Sequence, residues 1–224
     1  NPRIPLNTGV LCHEMSHNLG TYDLYHNAKD GLNPVGVWDL MSDIQPVAQH
    51  MTAYTKWRYC HWLDSIPSIS APGTYTLNPV GGNTGENVAY KIQPVGRREY
   101  FVIEYRKKEG FDASLPESGL IIYRINPDLT GGNLAYNGTT RLDEQYIFRP
   151  GGTTTSDGNI SEAAFSSGNG RTAFGGSAAR RPFYSDGTEA HFAIANISAA
   201  GPVMTFDLLA SAHRIVLSPP TVNL

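Results

Sequence analysis

Residues 99–126, EYFVIEYRKKEGFDASLPESGLIIYRIN, contain two apolar runs, EYFVIEYR and GLIIYRIN, with glycine and proline between them and no helical period. Short runs of this kind, bounded by turn residues, read as strands. The pattern repeats outward in both directions: TYTL (74–77) and NVAYKIQPV (87–95) come before, EAHFAIANI (189–197) and PVMTFDLL (202–209) after. Six such runs with no helices between them predict an antiparallel β-sandwich rather than an α/β unit. Residues 127–188, rich in Gly, Ser and Thr, are expected to hold long loops with one or two strands around YIF (146–148). Residues 210–224, with Pro219 and Pro220, read as a linker or tail.

Before residue 73 the period is different. Leu11, Met15 and Leu19 recur every four positions, with Cys12 at the edge of the stripe, and predict a helix over 8–20. Gly20 follows the last periodic residue, where a left-handed helix stop is common. Residues 21–44 are irregular, broken by Gly31, Pro34 and Gly36. A second helix is expected over 46–62, where Val47, Met51, Tyr54, Trp57 and Trp62 fall near helical spacing, and Pro67 and Pro72 close this part. The class is therefore α+β: a helical segment (1–68), a β-sandwich (69–209) and a tail (210–224).

Composition narrows the partners. A formal net charge of −3, with no basic stripe, gives no footprint for nucleic acid. No apolar run approaches the roughly 20 residues of a membrane span. Abundant Gly, Thr, Ser, Asn and Tyr with sparse Lys is a balance common in secreted β-rich proteins. The two cysteines, Cys12 and Cys60, are too few for a disulfide framework. Either they bridge or they are buried free thiols.

The chemistry lies in GVLCHEMSHNLGTYDLY, residues 9–25. On a helix, His13 and His17 stack on one face about 5–6 Å apart at Cβ, so both imidazoles can turn toward a single ion. Glu14 is displaced around the helix. It is placed to act as general base on a zinc-bound water and then as general acid toward the leaving amine. Gly20 lets the chain reverse, and Asp23 is positioned to return beneath the ion as a third ligand. No glutamate occurs between Glu14 and Glu86 to take that place, which leaves His26 and Asp30 as substitutes. Tyr22, Tyr25 and Tyr54 are candidate partners for the developing oxyanion. Asp128, Asp143, Glu144 and Asp157, in loops, are candidate ligands for a structural calcium, with solvated acidic groups the competing reading.

HEMSHNLGTYD resembles the H-E-x-x-H-x-x-G-x-x-D signature of the immune inhibitor A family (M6) of secreted bacterial metallopeptidases, which are related to the metzincins. GVWDLMS (36–42) is similar to that group's Met-turn, and PVAQHMTAYTKWRYCHWL to the helix that follows it. The stretch 99–126 resembles the family's E-x-R strand with its G-F-D and L-P-x-x-G-L run. The resemblance thus covers roughly residues 8–126 in order. It implies a zinc endopeptidase, secreted or at the cell surface, acting on protein or peptide substrates. His13, His17 and Asp23 would be ligands, Glu14 the catalytic acid/base and Met41 the floor under the zinc.

The metzincin plan also places a sheet and a backing helix before the zinc helix. NPRIPLN (1–7) cannot supply them, so the chain is expected to be the C-terminal half of the catalytic domain plus its sandwich. Its missing N-terminal part would be its natural partner, and these residues alone would have weak or no peptidase activity. Two other functions are compatible with the residues. One is a non-catalytic adhesion module with a degenerate or structural metal site, and the other is a zinc hydrolase for a non-peptide bond. Glu14 favours catalysis, because a structural site has no use for an acid beside its first histidine.

Overall fold

The computed structural model describes residues 7–27, 30–82, 86–129, 131–133 and 143–210. Helix α1 (Thr8–His17) starts where Asn7 accepts a hydrogen bond from the Val10 amide through its side chain, an N-cap that satisfies an orphan donor. It ends three residues short of the expected bound. A turn over 18–20 follows, with Gly20 at φ +88° as the helix stop. The apolar stripe of this helix faces outward: Leu11, Met15 and Leu19 are 46%, 60% and 46% exposed. The buried side of α1 is formed by Gly9, His13 and Ser16.

Helix α2 is much shorter than its apolar spacing predicts, Ala53–Arg58 rather than 46–62. The reason lies in where the preceding amides go. His50 N donates to Asp112 (2.9 Å), Thr52 N to Asp39 (2.8 Å) and Ala53 N to Glu104 (2.7 Å). With those donors committed to side-chain carboxylates, residues 46–52 remain irregular and the helix begins at the Thr52 cap.

Eight strands follow: β1 (Gly73–Leu77), β2 (Ala89–Ile92), β3 (Tyr100–Arg106), β4 (Gly119–Ile125), β5 (Gln145–Ile147), β6 (Phe174–Gly175), β7 (Ala193–Ala195) and β8 (Met204–Leu208). They form two antiparallel four-stranded sheets, ordered β2-β3-β4-β5 and β1-β8-β7-β6. All six expected runs contain a strand, and β5 lies at YIF. Only β6, two residues long, has no counterpart in the sequence reading.

The sheet containing β3 and β4 is a middle layer, which explains why both strands are buried along their whole length. Phe101, Ile103, Tyr105, Leu120 and Ile122 point into the sandwich core with Leu77, Ile194 and Phe206. Val102, Ile121, Tyr123 and Ile125 point the other way, into a core with Leu24, Trp38, Met41, Met51 and Tyr54. That second core draws on residues from either side of position 68. The expected tail, apart from Ala210, lies outside the described residues. No helix among the described residues is long and apolar enough to cross a membrane.

Cys12 and Cys60 are both free, so of the two readings the unpaired thiols hold. Burial pushes the Cys60 thiol up to about 11, and its sulfur lies 3.6 Å from that of Met51.

Candidate metal centre

His13 and His17 present their rings at 5.0 Å between centroids and nearly perpendicular, at 89°. His13 Nδ1 lies 3.0 Å from the carbonyl of Leu40, and His17 Nδ1 lies 3.0 Å from the carbonyl of Thr21. A carbonyl only accepts, so each Nδ1 carries the hydrogen. In the neutral ring that leaves Nε2 as a lone pair. Both Nε2 atoms face the same oxygen: His13 Nε2 is 3.1 Å and His17 Nε2 3.5 Å from Asp23 Oδ1. Asp23 Oδ1 is buried and accepts no hydrogen bond among the described residues.

The three ligand atoms lie within 4.8 Å of one another. Three electron-pair donors converging with no hydrogen between them repel unless something positive sits there. A single shared proton satisfies at most one of the two histidines, whereas one divalent cation satisfies all three groups. Carbonyl-anchored Nδ1 atoms are also how metal-binding histidines are usually oriented. The donor set of two imidazoles and one carboxylate is compatible with a divalent metal ion.

Gly20, in the left-handed region, turns the chain after α1 so that residues 21–26 run back past the helix. This strap is joined to the turn bearing Met41 by Leu24 N, which donates to the Met41 carbonyl at 2.7 Å. The turn is closed by Ser42 N donating to the Asp39 carbonyl at 3.0 Å. Its Leu40 carbonyl holds His13 and its Met41 carbonyl holds the strap carrying Asp23, so one turn supports two ligand elements. Met41 itself is fully buried.

Glu14 is exposed on α1, about 100° around the helix from His13. Of the three tyrosines, Tyr54 is buried and donates to Glu144 at 2.7 Å, while Tyr22 packs edge-on against Tyr59. Tyr25 is the one beside Asp23 and Glu14. Burial raises its pKa first, then the charge of Asp23 and a hydrogen bond to it, then the charge of Glu14.

His26 and Asp30 are not substitute ligands. His26 Nδ1 is 2.8 Å from Asp30 and Nε2 is 2.6 Å from Asp143, so neither ring nitrogen offers a lone pair to a metal. Burial opposes charge on this ring, but the hydrogen bond and charge of Asp143, then those of Asp30, outweigh it and raise the pKa. The raised value fixes the sign of a pH effect. The stabilisation is complete below the unfolded value of about 6.5 and is lost as pH rises through the higher folded value. His26→Gln should therefore cost about 2 kcal/mol near pH 5.5, a figure typical of charge-assisted hydrogen bonds. The gap to wild type should narrow on the alkaline side in melting curves taken in chelator. A gap that widens with pH would refute the imidazolium.

The acids considered for calcium are spent on separate partners. Asp128 pairs with Arg98 (2.6 Å), Asp143 with His26, and Asp157 with Arg149 (2.7 Å). Glu144 accepts from Tyr54, Tyr59 and the Gly132 amide. Among the described residues only His13, His17 and Asp23 gather as a metal-ligating group.

Beneath the site lies a buried charge network that sequence reasoning did not assign. Arg106 forms a two-pronged pair with Asp112 (both 2.8 Å), reaches Glu104 (3.4 Å), and donates to the carbonyls of His50 (3.0 Å) and Trp38. Asp39, also fully buried, accepts from Met41 N, Thr52 N and Thr55 Oγ1, each at 2.8 Å. The available signal was the pair of charges inside the apolar run EYFVIEYR. A scan against protein-family models and searches of curated proteins and of solved structures found no match to this chain.

Proposed function

We propose that the chain carries the zinc site of a secreted metalloendopeptidase of the immune inhibitor A kind. What supports the metal is the convergence of two Nε2 lone pairs on an Asp23 oxygen that has no hydrogen-bond donor. What supports catalysis rather than a structural role is the pairing of three ligands with an unliganded carboxylate, Glu14, on the adjacent, exposed part of the same helix. The family, the peptide substrate and a bacterial, extracellular setting rest on the signature, the GVWDLMS turn and the 99–126 stretch.

When bound, zinc supplies Lewis acidity that brings the pKa of a water toward about 7 and polarises the scissile carbonyl. His13, His17 and Asp23 hold the ion. Glu14 accepts a proton from the attacking water and delivers it to the departing amine as the C–N bond breaks. The Tyr25 hydroxyl is the nearest of the candidate tyrosines to this chemistry. The turn 39–42 keeps two ligand elements in register through its carbonyls.

The outward stripe of Leu11, Met15 and Leu19 supports a further packing partner. Met15 and Leu19 line, with Met51, Trp62 and Phe111, an apolar cavity of about 400 Å³ on the side of α1 away from the ligands. The N-terminal part of the same catalytic domain is the partner the resemblance implies there.

The test is hydrolysis of a quenched fluorescent peptide by protein that includes the N-terminal region. Activity should vanish on treatment with a zinc chelator and return with one equivalent of zinc. Zinc bound stoichiometrically with no hydrolysis of any peptide or casein substrate would favour the adhesion module.

A further inference from the structure

The Asp23 strap has no regular secondary structure, so neither a helix nor a sheet ladder fixes the backbone of the third ligand. Besides the Leu24 amide bond to the Met41 carbonyl, it is held by a segment more than a hundred residues away. Asn133, only 1% exposed, donates its amide to the Asp23 carbonyl (3.1 Å) and its side-chain Nδ2 to the Leu24 carbonyl (3.0 Å). The same Nδ2 donates to the Gln145 carbonyl (2.9 Å), and Oδ1 accepts from the Gln145 amide (3.1 Å). Asn133 therefore staples the strap to the first residue of β5. Its neighbour Gly132 lies so close that a Cβ there would sit 2.2 Å from the Asp23 carbonyl oxygen, and its φ is +75°. Glu144 fixes that neighbour by accepting from the Gly132 amide at 2.8 Å. Farther along the strap, Asp143 holds the His26 ring at 2.6 Å.

We infer that Asn133 and Asp143 are positioning residues for Asp23, so that the affinity of the metal centre is set partly from the approach to β5 in the sandwich. This inference rests on the reading of Asp23 as a ligand. The physical reason is preorganisation: a carboxylate held in place before the ion arrives loses less conformational freedom on binding. Asn suits position 133 because one side chain must both donate twice and accept once. Asp keeps the shape but loses both Nδ2 donors.

The test compares wild type with Asn133→Asp, Asp143→Asn and Asp23→Ala in the full chain. Zinc affinity is measured by competition with a chromophoric chelator, and the visible absorption of the cobalt-substituted protein is recorded. Tyr105→Phe serves as a stability control, since it removes a sandwich hydrogen bond to the Gly201 carbonyl (2.8 Å) away from the strap. Asn133→Asp and Asp143→Asn should each weaken zinc binding by about 10- to 100-fold, as outer-sphere changes do, and alter the cobalt bands. Tyr105→Phe should leave affinity and bands unchanged whatever its melting temperature. If Asp23→Ala weakens zinc binding while the Asn133 and Asp143 variants match wild type, the inference falls and the ligand reading stands. If wild type binds no zinc, or Asp23→Ala binds it equally well, both fall.

Discussion

If the proposed function holds, Glu14→Gln, in protein extended by the N-terminal part which that proposal calls for, should leave zinc affinity within a few-fold of wild type while peptide hydrolysis falls by about 10²–10⁴-fold, the usual range for a lost general acid–base. The glutamine has the same shape and the side chain is exposed on α1, so neither fold nor ligand geometry has cause to change. What disappears is a group able to take a proton from water and hand it to the amine nitrogen. The loss should therefore appear in kcat and in kcat/KM alike, with KM little affected. Retention of more than about a tenth of the activity would be incompatible with proton transfer worth that much. It would move the base to another residue.

The second large effect is on stability. Arg106 is fully buried with Glu104 and Asp112, and its guanidinium also satisfies the carbonyls of Trp38 and His50. The neighbouring charges raise its pKa against the penalty of burial, so the group stays cationic. Asp112 is lowered: burial opposes its ionisation, but the charge and hydrogen bonds of Arg106 overcome that. Arg106→Met would leave carboxylates and carbonyls buried without their donor, and should cost about 3–5 kcal/mol in urea unfolding of the metal-free protein. Arg106→Lys should cost less, because the charge survives while the two-pronged fork to Asp112 is lost. The damage should reach the metal site as weaker zinc binding, since Trp38 sits at the start of the turn whose carbonyls hold His13 and the Asp23 strap. A loss below about 1 kcal/mol would mean the network is replaceable by ordinary packing.

These effects separate what the sequence could reveal from what it could not. His13 and His17 were legible because helical spacing alone places them on one face, and Gly20 because a chain reversal there needs positive φ. Asp23 was reached by combining that reversal with the absence of a nearer glutamate. The strands β3 and β4 were legible as apolar runs, and a near-continuous run such as GLIIYRI fits burial on both faces. What covers the second face was not legible, because those residues come from 24–54.

The failures share a cause. Val47 and Met51 have helical spacing, yet amides in that stretch are claimed by Asp39, Glu104 and Asp112, each brought in by tertiary structure. Asn133 carried no signal at all, because its role exists only once β5 lies beside the strap. The E-x-R and G-F-D letters, which entered as points of family resemblance, meet in space as Glu104, Arg106 and Asp112. Their place under the turn is a physical reason for those residue types to occur together.

In the proposed site His13, His17 and Asp23 share one divalent ion. Its most direct measurement is the zinc X-ray absorption spectrum of the stoichiometrically loaded chain, recorded for wild type and for Asp23→Ala. Wild type should show two imidazole nitrogens at about 2.0–2.1 Å with oxygen ligands completing the shell, and Asp23→Ala should lose the carboxylate while keeping both imidazoles. A wild-type shell with fewer than two imidazoles, or one that Asp23→Ala leaves unchanged, would contradict the shared site.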